Sequence, residues 1–156
     1  MSIERVRQYF KELGIEDRIL VFNQSSATVE LAAKAAGVEG KRIAKTLSFK
    51  NGEGCILIVV AGDAKIDNKK FKEIFKMKAR MLAVEEVREL VGHEVGGVCP
   101  FGINTGIPVY LDISLKRFNT VFPACGSSNS AIELTNDKLY EYSNAVEWID
   151  VCKEWV

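Results

Sequence analysis

The chain lacks most of the features that announce a function directly. It has one histidine, His93, so the paired-histidine spacing of a zinc site is absent. No stretch comes near the roughly eighteen uninterrupted apolar residues that a membrane-spanning helix needs. The opening MSIERVRQYFKEL carries charges every few residues and no apolar core of an export signal, so a soluble, cytoplasmic protein is expected. Charge of one sign is also lacking, since 21 Lys and Arg face 21 Asp and Glu. The whole molecule therefore exerts no long-range pull on nucleic acid or membrane, and any polyanion must be met by a local patch. Repeats, low-complexity tracts and linkers are absent, and 156 residues suffice for one core, so residues 1–156 are expected to form a single domain.

The four cysteines, Cys55, Cys99, Cys125 and Cys152, are widely spaced and none forms a CxxC. They are expected to be reduced, buried thiols. A metal site of His93, Cys99 and Cys125 lacks ligand spacing, and a Cys99–His93 nucleophile pair has nothing to orient its imidazole. Neither a metal nor a cofactor is expected.

Periodicity supplies the elements. Ile3, Val6, Phe10 and Leu13 recur at helical spacing and Gly14 ends the pattern, which predicts an opening amphipathic helix. ILVF at 19–22 predicts a short strand. TVELAAKAAGV predicts an alanine-rich helix, capped by Ser26 or Thr28 and stopped by Gly37, packed closely on a sheet. AKTLSFKNGEGCILIVVAGD predicts a hairpin around Asn51-Gly52, and IDNKKFKEIF a helix capped by Asp67 or Asn68. RMLAV predicts a strand, EEVRELV a short helix ending near Gly92, and IPVYLDI, NTVFPACG and AIEL three further strands. Pro123 marks a sheet edge or strand end. NDKLYEYSNAVEWIDV is expected to be mostly helical. The irregular interleaving predicts an α+β fold with a mixed, curved, barrel-like sheet flanked by helices.

Three segments carry candidate chemistry. Lys45 stands where polar GVEGKR meets an apolar strand, a position that suits either a solvent-facing lysine or a functional one. GVEGKRIAKT does not meet the GxxxxGK[ST] spacing of a phosphate loop. GHEVGGVCPFG, residues 92–102, gathers four glycines, the histidine and a proline. Its glycines let backbone N–H groups approach a ligand and Pro100 stiffens the turn; a tight connection between elements is the plainer alternative. Residues 65–80 hold seven basic side chains against Asp67 and Glu73, a local charge of +5 that suits a solvated helix face or a phosphate backbone.

In order and spacing, TVELAAKAAGV, IAKTLSF, AGDAKID, GGVCPFG and ACGSSNSAIEL together resemble the YbaK/ProX family of aminoacyl-tRNA deacylases, relatives of the editing insertion of bacterial prolyl-tRNA synthetase. The resemblance spans nearly the whole chain. It implies that Lys45 is the essential lysine, and that Thr46, Gly96, Gly97, Val98, Cys99, Pro100, Gly102, Gly126 and Ser127 line the substrate site, with Cys99 sizing the pocket. It implies a tRNA acceptor end carrying an aminoacyl ester as substrate, with Lys65, Lys69, Lys70 and Lys72 as candidate tRNA contacts and a synthetase as a further partner. Cys99 stands where relatives commonly have Ser or Thr, and SSNS at 127–130 lacks the charged side chains of some members, which leaves the amino acid open. A binding module without hydrolysis, or a hydrolase of small esters, fits the same residues.

Overall fold

The apolar run from Cys55 to Ala61 forms the centre of the sheet. A computed structural model describes residues 2–155. In chain order its strands are β1 (Leu20–Val21), β2 (Ile43–Asn51), β3 (Gly54–Ala61), β4 (Lys65–Ile66), β5 (Val109–Asp112), β6 (Thr120–Pro123), β7 (Ser130–Ala131), β8 (Leu134–Thr135), β9 (Glu147–Ile149) and β10 (Cys152–Lys153). The helices are α1 (Ser2–Glu12), α2 (Val29–Ala36), α3 (Asn68–Phe75), α4 (Val84–Glu86) and α5 (Asn136–Tyr142). Six strands form one curled sheet in the order β8-β6-β2-β3-β5-β9. Its β2–β3 and β6–β8 pairs are antiparallel, and the β2–β6, β3–β5 and β5–β9 pairs are parallel. The fold is α+β with a mixed, curled half-barrel sheet, as the element pattern predicts.

Local signals explain much of this. The β2–β3 hairpin closes at Asn51 opposite Gly54, and Gly52 takes the left-handed conformation, φ 63°, that the tight turn requires. Thr28 caps α2 by accepting from the Leu31 N–H, and Asp67 caps α3 by accepting from Lys69 and Lys70. In α1, Val6 and Phe10 are fully buried, each contributing roughly 1.5–3 kcal/mol. The alanines of α2 allow close approach: Ala32 and Ala33 pack on Ile43 and Phe122, bridging β2 and β6. Pro123 is the last residue of β6, where its missing N–H leaves no gap in a continuing ladder.

Three expectations are corrected. RMLAV is not a strand: Met81 makes a single bridge to Phe49, and the chain then turns into α4, with Glu86 accepting from the Ala83 N–H. AIEL is broken, with Ala131 ending β7 and Leu134 beginning β8. The C-terminal segment is helical only to Tyr142. Asn144 adopts φ 52°, the chain reverses, and residues from Glu147 on pair with the free edge of β5 and then with β4. Buried Asp112 locks that return by accepting from the Val151 and Ser114 N–H groups. Backbone pairing at an open sheet edge overrode the helical character of the sequence. No helix among the described residues is long and apolar enough to cross a membrane.

Candidate active site

Strand β2 pairs with β6 only at Ile43 and Ala44. Further along, the Leu82 N–H donates to the Ser48 carbonyl and the Lys50 N–H to the Arg80 carbonyl. Between these two attachments the edge of β2 is open at Thr46. Backbone groups along a strand alternate in direction, so Thr46 aims its N–H and carbonyl at the same edge as Ser48 and Lys50. A cleft of about 400 Å³ occupies the gap. Its walls come from α2, the β2 edge, the ends of β6 and β7, the segment 81–87 and the loop 95–98.

Lys45 and Thr46 both line this cleft, from opposite faces of β2, because successive strand residues alternate. Lys45 is half-buried. Burial draws its pKa below the ordinary lysine value, and the carboxylates of Asp63 and Glu30 oppose that shift. Asp63 is itself held by Arg117, with N–O distances of 2.5 and 2.9 Å.

Opposite β2, Gly96 and Val98 complete the wall. Gly96 has φ 95°, a conformation open to glycine, and lies against Ala27 and Ser128. The Gly97 N–H is committed to the Glu94 carbonyl at 3.0 Å, and Pro100 has none. Val95, Gly96 and Val98 are the loop residues that line the cleft.

The remaining residues expected to line the site stand behind it. Gly97 packs against the Gly126–Ser127 peptide. The Ser127 hydroxyl bonds to Asn129 and to Ser130, and it is Ser130 that reaches the cleft. Pro100 and Gly102 border a different cavity, beside Tyr9 and Asn104. Cys99 is fully buried, with its thiol 3.6 Å from the Phe101 carbonyl and 3.5 Å from His93 Nε2, and is not among the residues that line the cleft. Burial pushes the Cys99 thiol up to about 12 and lowers the His93 pKa. His93 Nε2 lies 2.7 Å from the Phe101 carbonyl, which can only accept, so the neutral ring carries its proton there. This pair fastens the loop from within the core.

Arg5 was not legible as a determinant of the loop. Its guanidinium donates to the Gly92 carbonyl at 3.2 Å and to Asn104 Oδ1 at 3.1 Å, tying α1 to both ends of the glycine-rich segment. Ser26, Met81, Val87 and Phe122 also line the cleft and carry no local signal, because each comes from a different stretch of chain. Of the basic run, Lys65, Lys69 and Lys72 are exposed, whereas Lys70 is bonded to Asp150 and to the Cys152 carbonyl. None of the four lines the cleft.

The sequence profile described as "Aminoacyl-tRNA editing domain" matches residues 23–142, which include both walls of the cleft. The chain belongs to the aminoacyl-tRNA editing domain family. Within that family it is 59% identical over 156 residues to YwhH of Bacillus subtilis (strain 168), an uncharacterized protein, covering 99% of both chains. It is 28% identical over 137 residues to a proline–tRNA ligase of Thermosipho melanesiensis, a match to 87% of this chain and 24% of the ligase. Among solved structures, a candidate trans-editing enzyme for prolyl tRNA synthetase superposes with a TM-score of 0.88 at 31% identity, covering 97% of each chain. These likenesses agree with the YbaK/ProX resemblance read from the motifs.

Proposed function

We propose that this editing domain is a deacylase that hydrolyses the ester of a mischarged tRNA in trans, with a small amino acid such as Ala, Cys or Ser as the acyl group. The observation that carries the reading is the pairing of Lys45 and Thr46 on one wall with Gly96 and Val98 on the other, across a cleft of about 400 Å³. The likeness to a candidate prolyl trans-editing enzyme and to a segment of a proline–tRNA ligase supports a proline tRNA as carrier and its synthetase as partner. Such a substrate is met in the cytoplasm.

An aminoacyl ester is already activated, so positioning and charge stabilisation supply most of what hydrolysis requires. Lys45 orients the acceptor end through its ammonium, binding the ester or the adjacent phosphate. In this reading the N–H groups of Gly96 and Val98, both on the lining of the cleft, hold the carbonyl oxygen as negative charge develops on it. Water adds to the carbonyl carbon, the bond to the ribose oxygen breaks, and the proton released from the water ends on that oxygen. A ribose hydroxyl of the substrate or an ordered water relays it.

The test is release of free amino acid from proline tRNA charged with alanine, cysteine or serine. Turnover by the wild type, lost in Lys45→Ala, is the expected result. Binding without release in the wild type would instead make the protein a recognition module, and release from small esters alone would remove tRNA from the reading.

A further inference from the structure

Two lysines stand directly opposite each other on the ribbon of β4 and β10, where Lys153 is the antiparallel partner of Lys65. Partners in such a pair project from the same side, with Cβ atoms about 5 Å apart, and like charges placed so repel each other. Both lysines are exposed, and neither ammonium has an ion pair or hydrogen bond with another described residue. The carboxylates around them are held elsewhere: Asp63 by Arg117, Asp67 by the Lys69 and Lys70 N–H groups, and Asp150 by Lys70. Glu154 follows Lys153 in the chain, is exposed, and forms no ion pair with it.

An aromatic side chain continues the ribbon. Trp155, two residues past Lys153, is half-buried, and the Arg117 guanidinium lies 5.0 Å from its ring centroid. Arg117 is itself fixed, donating to the Ser114 carbonyl at 2.8 Å and to Asp63, two residues before Lys65. An indole anchored by a cation beside two unpaired lysines has the make-up of a platform for single-stranded nucleic acid, in which a base stacks on the ring and a phosphate meets the ammonium groups. A duplex keeps its base faces covered, and an acidic peptide would use the lysines alone.

The ribbon adjoins the cleft. Gly62, in the turn between β3 and β4, packs so closely that a Cβ on it would stand 2.9 Å from Val29 Cγ1, and Val29 lines the cleft. Val60, just before that turn, is the cross-strand partner of Lys45, and Lys65 is near enough for its charge to act on Lys45. Resting on the deacylase reading of the cleft, we infer that Lys65, Lys153 and Trp155 seat the unpaired 3′ nucleotides of the tRNA that precede the esterified ribose. The two ammonium groups hold one phosphate between them, and one base lies on the indole. The contact reads no sequence, since every base has a π face; it favours the polynucleotide over a free aminoacyl nucleoside.

Two stable probes test this: adenosine joined to alanine through an amide at its ribose, and the same compound extended to a CCA trinucleotide with a 5′ phosphate. By calorimetric titration the wild type binds the trinucleotide about tenfold or more tighter than the nucleoside. Trp155→Ala reduces that ratio about fivefold or more, whereas Trp155→Phe, which keeps a ring, retains most of it and reports on folding. Lys65→Ala combined with Lys153→Ala flattens the slope of log affinity against log salt for the trinucleotide by about 0.7, the value for one phosphate of a single strand. Trp148 and Trp155 are the chain's two tryptophans, so in Trp148→Phe the indole emission belongs to Trp155, and the trinucleotide quenches it. Equal binding of the two probes by a wild type that still releases alanine from tRNA overturns the platform alone. So does a ratio undiminished in Trp155→Ala, an unchanged slope in the double lysine variant, or bound trinucleotide that leaves the Trp155 emission unaltered. Failure to bind either probe, with no release of alanine, overturns both the platform and the deacylase reading.

Discussion

Gly97 lies so close to the peptide joining Gly126 to Ser127 that a Cβ built on it would stand 2.5 Å from both Gly126 C and Ser127 N. Two glycine turns that are distant in the chain thus close on each other, and the wall of the cleft rests on their contact. Gly97→Ala forces backbone against backbone, where no side chain can rotate away. The expected cost is about 1–3 kcal/mol, read as a lower denaturant midpoint, with loss of deacylation beyond what unfolding explains because Gly96 and Val98 are displaced.

Lys45 separates activity from stability. Burial lowers its pKa, so the unfolded chain binds this proton more readily than the folded one between the lowered value and the ordinary 10.5. Across that window the group makes stability rise with pH, and below it the desolvation cost is fully present. Lys45→Met should therefore unfold at neutral pH no earlier than the wild type in a thermal melt, while deacylation falls by about 100-fold or more. In the wild type, turnover corrected for spontaneous ester loss should decline as pH rises through a value below 10.5.

Cys99 and its neighbours should be chemically silent. All four cysteines are buried, and Cys99 with a pKa of about 12 is a neutral thiol at physiological pH. Iodoacetamide applied to the native protein should leave all four unmodified by mass spectrometry and turnover intact. Cys99→Ser, whose hydroxyl can still donate toward the Phe101 carbonyl, should keep turnover within about threefold, at a stability cost of about 1 kcal/mol. Rapid alkylation with loss of activity would restore the thiol to the mechanism.

Binding of tRNA should depend on salt through the exposed lysines of α3 and β4. Lys65, Lys69 and Lys72 are free to meet phosphates, whereas Lys70 holds Asp150 at 2.9 Å. Removing one lysine that neutralises a phosphate should flatten the slope of log affinity against log salt by about 0.7–0.9. Lys69→Ala and Lys72→Ala should each do so and weaken all tRNAs alike. An unchanged slope in the double variant would return this run to a solvated helix face.

What the sequence determined by itself is local: the caps at Thr28 and Asp67, the stop at Gly37, the Asn51-Gly52 hairpin, the buried β3 and the order of motifs that marks the family. Each of these rests on forces that act within a few residues, such as a cap satisfying a free N–H or a glycine relieving a left-handed turn. The tertiary structure alone decided what those signals left open. It drew residues 147–149 into strand pairing with β5, because an unpaired sheet edge outweighs a weak helical preference. It turned Cys99 away from the cleft and brought Ser26 in, since a side chain's direction in a loop depends on what packs behind it, here His93, Phe101 and the anchoring Arg5. It also opened the edge of β2 at Thr46, a gap that exists only because β6 leaves at Ala44 and the segment at Leu82 joins no earlier than Ser48.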